Sequence, residues 1–314
     1  MPTTPHPRAL LEAFGERRLV AYRPLAPLTT FGIGGPADWF LDATTTDEVV
    51  AAVTAAARDA IPLFVLGGGS NLLVGDRGVR GLVLRARTSG IEREPDGRLR
   101  ADAGVTLNGL VRRTILDGLG GLEAWAGTPG TVGGAIAGNA HWAGHLISER
   151  VASVTLVTRG GLVTELAAER MDFAYDRSRV QQTGEFVLSA TFRLTPGQAP
   201  DALRATARAS LLHRKQTQPL RLPSAGCIFQ NPAPGIDTVP DGIPWSAGAL
   251  VDRAGLKGTA IGGARVSPVH ANFIVNEGGA TASDVRALIE LCRAEVARQF
   301  GVHLRDEIVC VGEF

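Results

Sequence analysis

The most informative stretch of this chain is Gly127-Thr128-Pro129-Gly130-Thr131-Val132-Gly133-Gly134-Ala135-Ile136. Four of its ten residues are glycine, so the main chain can approach a ligand closely with its amide N–H groups unshielded by side chains. Such a surface favours an anion, most often a phosphate. A tight turn would give the same composition, so this stretch taken by itself leaves both interpretations open.

A second glycine cluster, Gly67-Gly68-Gly69-Ser70-Asn71-Leu72-Leu73, directly follows the apolar run at residues 61–66. An apolar strand that runs into a glycine loop is a common arrangement for holding phosphates. Two separate clusters indicate a ligand long enough to touch both, such as a dinucleotide with its pyrophosphate. Residues 67–73 and 127–136 therefore predict one shared cofactor site.

The whole chain narrows the class of protein. Its 314 residues suffice for two domains or slightly more. A formal net charge of +1 and an aromatic content of 5% argue against a nucleic-acid partner. The N-terminus has no apolar signal core, and no stretch has the length of a membrane span, so we expect a cytoplasmic protein without a membrane partner.

The chain has three cysteines, Cys227, Cys292 and Cys310, and their spacing matches no metal-ligand pattern. We therefore predict neither disulfides nor a metal site, which agrees with a reducing compartment. Most free cysteines are small buried apolar residues, and we assign Cys292 and Cys310 to that class.

The local patterns predict alternating strands and helices. Strands at residues 38–41, 61–66 and 81–85 enclose a helix that begins at a capping box, Thr45-x-x-Glu48, and form a βαβ-like unit. Further predicted elements are a helix at 107–116, a hairpin at 151–165, strands at 98–103, 185–194, 272–276 and 307–311, and helices at 202–213, 247–254 and 281–300.

With these segments in order, the chain resembles the MurB family of UDP-N-acetylenolpyruvoylglucosamine reductases from about Thr29 to Gly312. The resemblance is specific because it joins several ordered segments. Three segments of the chain resemble the flavin-binding loops of the family: Thr29-Thr30-Phe31-Gly32-Ile33-Gly34-Gly35-Pro36-Ala37, residues 67–73, and residues 127–135 with Asn139-Ala140. The segment Ser224-Ala225-Gly226-Cys227-Ile228-Phe229-Gln230-Asn231-Pro232 resembles the family's stretch that carries the proton donor. Residues 247–258, 270–276 and 301–312 resemble parts of its substrate domain. The uninterrupted run 178–214 is similar to the shorter subtype, which lacks a tyrosine-bearing insertion.

The resemblance implies a mixed α+β fold. It comprises an FAD-binding domain of the vanillyl-alcohol-oxidase (PCMH) type in two lobes, at residues 1–85 and 86–200, and a smaller α/β substrate domain at 201–314. The boundary near residue 200 is placed after Thr195-Pro196-Gly197, which is expected to end a strand. The prediction leaves open that the last strand of the chain packs on the FAD domain.

The implied activity is the FAD-dependent, NADPH-driven reduction of UDP-N-acetylglucosamine enolpyruvate to UDP-N-acetylmuramate. This step belongs to peptidoglycan synthesis and so to cell wall biogenesis, cell shape and cell division. A hydride is added to the vinyl carbon C3, negative charge spreads from C2 into the carboxylate, and C2 is then protonated. The protein must supply cationic or donor groups at the carboxylate and a positioned acid. The family pattern implies a monomer, and the sequence does not decide between NADPH and NADH.

Cys227 stands where the family usually has the serine that protonates C2, and a thiol is a stronger acid than a hydroxyl. Glu307 matches the family's catalytic glutamate, which polarises the intermediate; without the resemblance it would be an ordinary charge at the start of a strand. Gln230 and Asn231, which closely follow Cys227, are predicted to contact the substrate. Arg214 is a candidate for the UDP phosphates or an ordinary surface charge.

The third catalytic group departs from the family pattern Tyr-Arg-x-Ser. In Phe173-Ala174-Tyr175-Asp176-Arg177-Ser178-Arg179, aligning Tyr175 and Ser178 puts Asp176 at the arginine position, where it would repel the developing charge. Arg177 could take over through a one-residue shift, Arg179 could reach in, or the reaction could be lost. We predict Arg177 as the catalytic cation and Tyr175 as a substrate contact.

The resemblance assigns the flavin contacts to Thr30, Gly32, Ile33, Gly34, Gly67, Gly68, Gly69, Ser70, Asn71, Leu72, Gly127, Pro129, Gly130, Gly133, Gly134 and Asn139. His141-Trp142 stands where the family commonly has a Gly-Ala-Tyr/Phe stretch. This pair either reshapes the nicotinamide or substrate pocket or packs at its rim.

Two other functions remain open at this point. One is a flavin-binding relative that kept its cofactor loops and lost turnover through Asp176. The other is a flavin oxidase that uses oxygen on a different substrate.

Overall fold

The structure of this chain is a computed structural model that describes residues 5–314; residues 1–4, which begin the predicted signal-free N-terminus, lie outside the described residues. The strands are Val20–Pro24 (β1), Pro36–Ala43 (β2), Leu63–Leu66 (β3), Leu72–Val74 (β4), Val79–Ala86 (β5), Ile91–Arg93 (β6), Leu99–Asp102 (β7), His141–Trp142 (β8), His145–Leu146 (β9), Val151–Val157 (β10), Val163–Ala167 (β11), Phe186–Phe192 (β12), Ala260–Ile261 (β13), Ala264–Val266 (β14), Ile274–Asn276 (β15) and Val309–Val311 (β16). The α-helices are Arg8–Phe14 (α1), Thr46–Arg58 (α2), Leu107–Leu116 (α3), Val132–Ala137 (α4), Val180–Thr183 (α5), Pro200–Thr217 (α6), Ala247–Arg253 (α7) and Ala282–Phe300 (α8).

The chain forms two compact units. Unit 1 contains residues 5–23, Ala37–Gly68 and Arg80–His213, and unit 2 contains Pro24–Pro36, Gly69–Val79 and Arg214–Phe314. This division differs from the one expected at residue 200. The expected boundary followed a Pro-Gly breaker, and a breaker marks a local turn rather than a change of long-range partners.

Unit 1 contains two sheets with separate cores. The first sheet has the strand order β1-β2-β5-β3, with β3 and β5 parallel from Leu63↔Leu82 to Leu66↔Arg85. Helix α2 buries Val49, Ala52, Val53, Ala55 and Ala56 in the first core, as the predicted apolar face of this helix requires. Two of the three predicted strands, β3 and β5, pair in parallel, but both follow α2 and the segment between them contains β4 rather than a helix.

Helix α2 begins at the predicted capping box, with one change in its partners. The Thr45 hydroxyl accepts a hydrogen bond from the Glu48 N–H at 3.2 Å, but the Glu48 carboxylate accepts from the Thr44 N–H at 2.8 Å. The same carboxylate is paired with Arg18, with nitrogen–oxygen distances of 2.5 and 2.9 Å. The hydrogen bond from Arg18 and then that from the Thr44 backbone lower the pKa of Glu48 to about 2.

We expect Glu48→Gln to make the protein less stable at pH 7 by up to about 1 kcal/mol, since the pair is partly exposed to solvent. Because the folded-state pKa lies below the unfolded value of about 4.3, the carboxylate stabilises the fold above that value. This contribution is lost as the pH falls towards about 2. Urea unfolding of both proteins at several pH values should show the difference shrinking over that range; a difference that stays constant would contradict this origin.

The second sheet of unit 1 is antiparallel, with the strand order β11-β10-β12-β7-β6. The predicted hairpin is confirmed, and β10 pairs with β11 from Ser153↔Ala167 to Val157↔Val163. Helix α3 has the predicted bounds and buries Leu110 and Val111 in the core that this sheet shares with α4.

Unit 2 is built on a core that contains the apolar faces of α7 and α8 and residues of β14 and β15. Strand β16 pairs in parallel with β4, from Val309↔Leu72 to Val311↔Val74, so the C-terminal strand joins a segment more than 200 residues earlier in the chain. Helix α8, the strongest helix prediction, begins after a Thr281–Asp284 capping box and ends at Gly301. Among residues 5–314, no helix combines the length and the apolar character that crossing a membrane requires.

Candidate active site

The two glycine clusters meet within unit 1. A Cβ atom at Gly68 would lie 2.7 Å from the Gly130 Cα, and one at Gly67 would lie 2.6 Å from the Thr131 hydroxyl oxygen. Both approaches are closer than real Cβ atoms show, so glycine is required at both positions. Residues 67–68 and 130–131 therefore form one continuous surface, although more than 60 residues separate them in the chain.

Part of the main glycine stretch is helical rather than a loop. Helix α4 begins after Thr131, whose hydroxyl accepts from the Gly134 N–H at 3.4 Å. The Val132 and Gly133 N–H groups donate to the Val105 and Ala103 carbonyls at 2.8 and 2.9 Å, so these amides already have protein partners. The expectation of unshielded amides is wrong for these positions because the helix start is tied to the β7–α3 connection.

Amides in the touching parts of the clusters remain available for an anion. Within residues 5–314, the N–H groups of Gly67, Gly68 and Gly130 have no hydrogen-bond acceptor. Gly67 and Gly130 are half-buried and Gly68 is exposed, so the missing acceptor is costly mainly at the first two, where a ligand oxygen would stabilise the surface. These three amides fit the role of a phosphate-binding surface.

A cavity of about 230 Å³ opens beside this surface. Its wall includes Gly67, Thr131, Gly133 and Gly134 together with apolar side chains such as Val65 and Val187. A Cβ atom at Gly134 would meet nothing closer than the Thr131 hydroxyl at 3.7 Å, so the helix start leaves room for a ligand. An apolar cavity of this size, bordered by free amides, can hold part of a flavin dinucleotide.

The other predicted flavin contacts of unit 1 border the same segment. The Gly127 N–H donates to the Asn108 side chain at 2.7 Å, and Pro129 is exposed. Asn139 is fully buried with a φ of 43°; its amide donates to the Ala174 carbonyl at 2.8 Å and its oxygen accepts from the Ser148 N–H at 3.2 Å. Asn139 thus joins the end of α4 to the segment that carries Tyr175.

The remaining predicted flavin contacts belong to unit 2. The Thr30 N–H donates to the Gly69 carbonyl at 3.0 Å, which joins the first flavin loop to the second half of the glycine cluster. Gly32, Gly34 and Gly69 have φ values of 66°, 143° and 61°, which favour glycine. The other members are Ile33, which is buried; Ser70, half-buried; Asn71, which donates to the Glu307 carbonyl at 3.1 Å; and Leu72, on β4.

Cys227 and Glu307 lie on segments of unit 2 that are distant in the sequence and adjacent in the fold. Cys227 forms a β-bridge with Phe273, and the next residue, Ile228, accepts the Glu307 N–H at 2.8 Å. Asn272 secures the segment, because its side chain both donates to the Phe229 carbonyl and accepts from the Phe229 N–H, at 2.7 and 2.9 Å. Cys227 and Glu307 are both half-buried. The predicted acid and the predicted carboxylate therefore lie on adjacent segments held by backbone hydrogen bonds.

Arg214 lies close enough to Cys227 for its guanidinium to interact with the sulfur when the thiol is ionised. Burial lowers the pKa of the Arg214 guanidinium to about 10, and its interaction with the Cys227 sulfur opposes that shift. Arg214 is only 6% exposed, so it is not a surface charge. Little in the sequence indicated that Arg214 would be buried beside Cys227, because a basic residue near a helix end is usually solvated.

The two predicted substrate contacts that follow Cys227 differ in how they are held. Gln230 donates its backbone N–H to the Arg305 carbonyl at 2.9 Å, and its side chain is half-buried. The Asn231 side-chain oxygen accepts from the Ala247 N–H at 3.0 Å, which fixes the start of α7. The Asn231 oxygen is therefore partly engaged, and its amide nitrogen can donate to a ligand.

The segment at the family's arginine position is a tight turn in unit 1. Ala174 and Arg177 exchange backbone hydrogen bonds at 3.0 and 3.1 Å, and Ser178 is buried with its hydroxyl donating to the Ala137 carbonyl at 2.7 Å. The Arg177 side chain is exposed. Arg179 is held by Glu185, with nitrogen–oxygen distances of 2.7 and 3.3 Å.

Strand β8 carries the two residues whose role the sequence left open. The Trp142 indole donates to the Ser210 hydroxyl on α6 at 3.0 Å, which is a packing contact within unit 1. His141 instead contacts Asp176, with 3.1 Å between Nδ1 and the carboxylate oxygen, and its ring lies 4.7 Å from that of Tyr175. The two neighbours therefore have different surroundings.

The other two cysteines have different surroundings from Cys227. Cys292 is buried on α8, and burial raises the pKa of its thiol to about 12, which makes it unreactive. Cys310 was expected to be buried but is exposed on β16, because this strand pairs with β4 alone in a two-stranded sheet.

Comparisons with known proteins place this arrangement in context. Residues 218–311 match the family model for the C-terminal domain of UDP-N-acetylenolpyruvoylglucosamine reductase, and residues 37–167 match that for an FAD binding domain. Both the predicted flavin domain and the predicted C-terminal domain of the mixed α+β fold are confirmed by these matches.

Relatives with the same description cover most of the chain. The UDP-N-acetylenolpyruvoylglucosamine reductase of Synechococcus sp. (strain WH7803) is 41% identical over 92% of this chain and 92% of its own length. That of Prochlorococcus marinus (strain MIT 9313) is 40% identical over 99% and 98%. The crystal structure of the reductase (MurB) from Thermus caldophilus is similar with a TM-score of 0.78 and 32% identity, over 94% of this chain and 99% of that one.

Proposed function

Since the chain belongs to the MurB family of UDP-N-acetylenolpyruvoylglucosamine reductases, we propose that it reduces UDP-N-acetylglucosamine enolpyruvate to UDP-N-acetylmuramate with FAD and NADPH. The observation that carries this proposal is 41% identity to such a reductase over 92% of the chain. The substrate is a small molecule, a UDP-sugar enolpyruvyl ether. We further propose that the enzyme is a cytoplasmic monomer, which light scattering of the purified protein would test for the oligomeric state.

FAD, when bound, accepts a hydride from NADPH and supplies one for carbon C3 of the substrate. The glycine surface of unit 1 is proposed to hold its phosphates through Gly67, Gly68 and Gly130, beside the cavity that contains Gly134. In unit 2, the Thr30–Gly69 hydrogen bond gives the second set of predicted contacts a fixed backbone. The role of these residues is to bind and orient the cofactor.

Cys227 is proposed to donate the proton that C2 needs after hydride addition. The Arg214 guanidinium next to it stabilises the thiolate that remains, since an opposite charge in a buried site favours the ionised form. Glu307 is proposed to polarise the developing enolate. Its backbone N–H donates to the Ile228 carbonyl, which holds Glu307 beside the segment that carries Cys227. Gln230 and Asn231 are proposed to contact the substrate.

For the catalytic cation, Arg177 remains our proposal among the two arginines. Arg179 already neutralises Glu185, whereas the Arg177 side chain is exposed beside Tyr175. We expect Arg177→Ala to raise the KM for the enolpyruvyl substrate about fivefold, the effect of one exposed charge worth about 1 kcal/mol. Arg179→Ala should lower the thermal stability and leave KM nearly unchanged; steady-state kinetics showing the reverse order would transfer the role to Arg179.

The absorption spectrum of the purified protein tests the function as a whole. We expect a flavin spectrum that NADPH bleaches in the absence of air and that the enolpyruvyl substrate restores, with UDP-N-acetylmuramate as the product. Protein that contains no flavin after FAD is supplied would refute the proposal. Bleaching without recovery would indicate a relative that lost turnover, and steady production of hydrogen peroxide would indicate an oxidase.

A further inference from the structure

A histidine, a tyrosine and a carboxylate lie together in unit 1 where the family pattern has an arginine. His141 Nδ1 is 3.1 Å from the Asp176 carboxylate oxygen, and the Tyr175 hydroxyl is 3.4 Å from His141 Nε2. The Asp176 and His141 side chains are 13% and 28% exposed, so both are shielded without being closed off from a ligand. Their backbone is held in place, because Ser178 and Asn139 join this turn to α4.

The charge of Asp176 creates a problem that His141 can solve. Asp176 has a φ of 52°, a left-handed conformation that aspartate tolerates better than most side chains, and its second carboxylate oxygen has no hydrogen-bond partner within residues 5–314. With a neutral imidazole, this pair would carry one negative charge and repel the substrate carboxylate. With an imidazolium, the pair is neutral overall and presents an Nε2–H donor on its far side.

We propose that the imidazolium of His141 shares the role of the family's arginine with Arg177 and makes the direct hydrogen bond to the carboxylate of the enolpyruvyl substrate. The Nδ1–H group donates to Asp176, which sets the ring orientation, and the Nε2–H group points towards Tyr175. When the carboxylate enters, Nε2–H and the Tyr175 hydroxyl each donate to one of its oxygens. Two donor atoms 3.4 Å apart can bracket a single carboxylate in this way. This assignment rests on the proposed function.

Neither neighbouring arginine offers the same arrangement. The Arg179 guanidinium is engaged by Glu185, and the Arg177 side chain is exposed, so a contact from it would be screened by water. Because the His141 ring is partly buried, its hydrogen bond to a carboxylate should be stronger. Arg177 then adds a weaker attraction at the rim, and His141 determines whether a carboxylate is accepted.

A binding experiment separates this role from a structural one. The FAD-loaded parent, His141→Ala and His141→Gln are titrated by calorimetry with UDP-N-acetylmuramate, which carries the carboxylate, and with UDP-N-acetylglucosamine, which lacks it. We expect His141→Ala to weaken binding of UDP-N-acetylmuramate about 10- to 100-fold, the effect of one charge-assisted hydrogen bond. His141→Gln should weaken it less, because the amide donates without a charge. Neither variant should change the affinity for UDP-N-acetylglucosamine.

The same hairpin offers a matched control. His145, on β9, is also paired with a carboxylate, 3.2 Å from Glu149, but its side chain is 64% exposed. His145→Gln should leave the affinities for both ligands at the parental values. Asp176→Asn, which removes the charge that favours the imidazolium, should weaken binding of UDP-N-acetylmuramate alone.

Several results would overturn the assignment. These are parental affinity for UDP-N-acetylmuramate in His141→Ala or Asp176→Asn, an equal loss for both ligands, or a larger loss in Arg177→Ala than in His141→Ala. A parent enzyme that binds neither ligand would instead refute the proposed function. Flavin content and circular dichroism of each variant show whether it has folded.

Discussion

Cys227→Ala is expected to slow the reaction of the NADPH-reduced enzyme with the enolpyruvyl substrate by about 10²- to 10⁴-fold, the usual contribution of a positioned general acid. Reduction of the flavin by NADPH should proceed at the parental rate, since this step requires no proton at C2. Stopped-flow absorbance measures the two half-reactions separately. A split effect of this kind would identify the thiol as the acid, because a general disturbance of the fold would slow both steps.

Two further variants complete this test. Cys227→Ser keeps a proton donor and should retain more activity than the alanine variant, although a hydroxyl is the weaker acid. Cys310→Ala removes an exposed thiol on β16 and should behave like the parent. If Cys227→Ala consumes the substrate as fast as the parent, the proton comes from another group.

Gly68→Ala is expected to remove most of the bound FAD and to destabilise the protein by about 1–3 kcal/mol, the usual cost of overpacking. The added Cβ would lie 2.7 Å from the Gly130 Cα, a backbone atom that cannot rotate away. Relieving this contact separates two of the amides assigned to the phosphates. The flavin-to-protein absorbance ratio and the melting temperature, with and without added FAD, measure both effects.

Gly160→Ala is the matched control for this substitution. Neither glycine has a positive φ, so the backbone conformation admits alanine at both. A Cβ atom at Gly160 would have its nearest neighbour at 3.9 Å, an ordinary contact. Gly160→Ala should keep its flavin; a Gly68→Ala protein that also keeps the parental flavin content would show that the two clusters can move apart.

Local elements were predictable because their signals lie within a few neighbouring residues. Helix α3 has its predicted bounds, the capped start of α8 is one residue from the prediction, and the β10–β11 hairpin is paired as expected. Helix α4 was missed because its glycines are poor helix formers. Its first amides are instead satisfied by carbonyls of the β7–α3 connection, which no local pattern reports.

The identities of the chemical groups were likewise readable before the fold was known. Cys227, Glu307 and the glycine clusters were singled out by residue type and order, and the aspartate at the arginine position was recognised as a departure. The partner of that aspartate was not predicted, because His141 precedes it by 35 residues and lies on a separate two-residue strand.

Residue types and short-range periodicity were enough to predict the family, the cofactor class and most of the longer helices and strands. Which distant segments touch became known only from the folded chain: Gly68 with Gly130, β4 with β16, and His141 with Asp176. Such contacts arise when the chain buries its apolar faces and satisfies its backbone hydrogen bonds together. Their outcome is a property of the whole packed unit, so no single stretch of sequence encodes it.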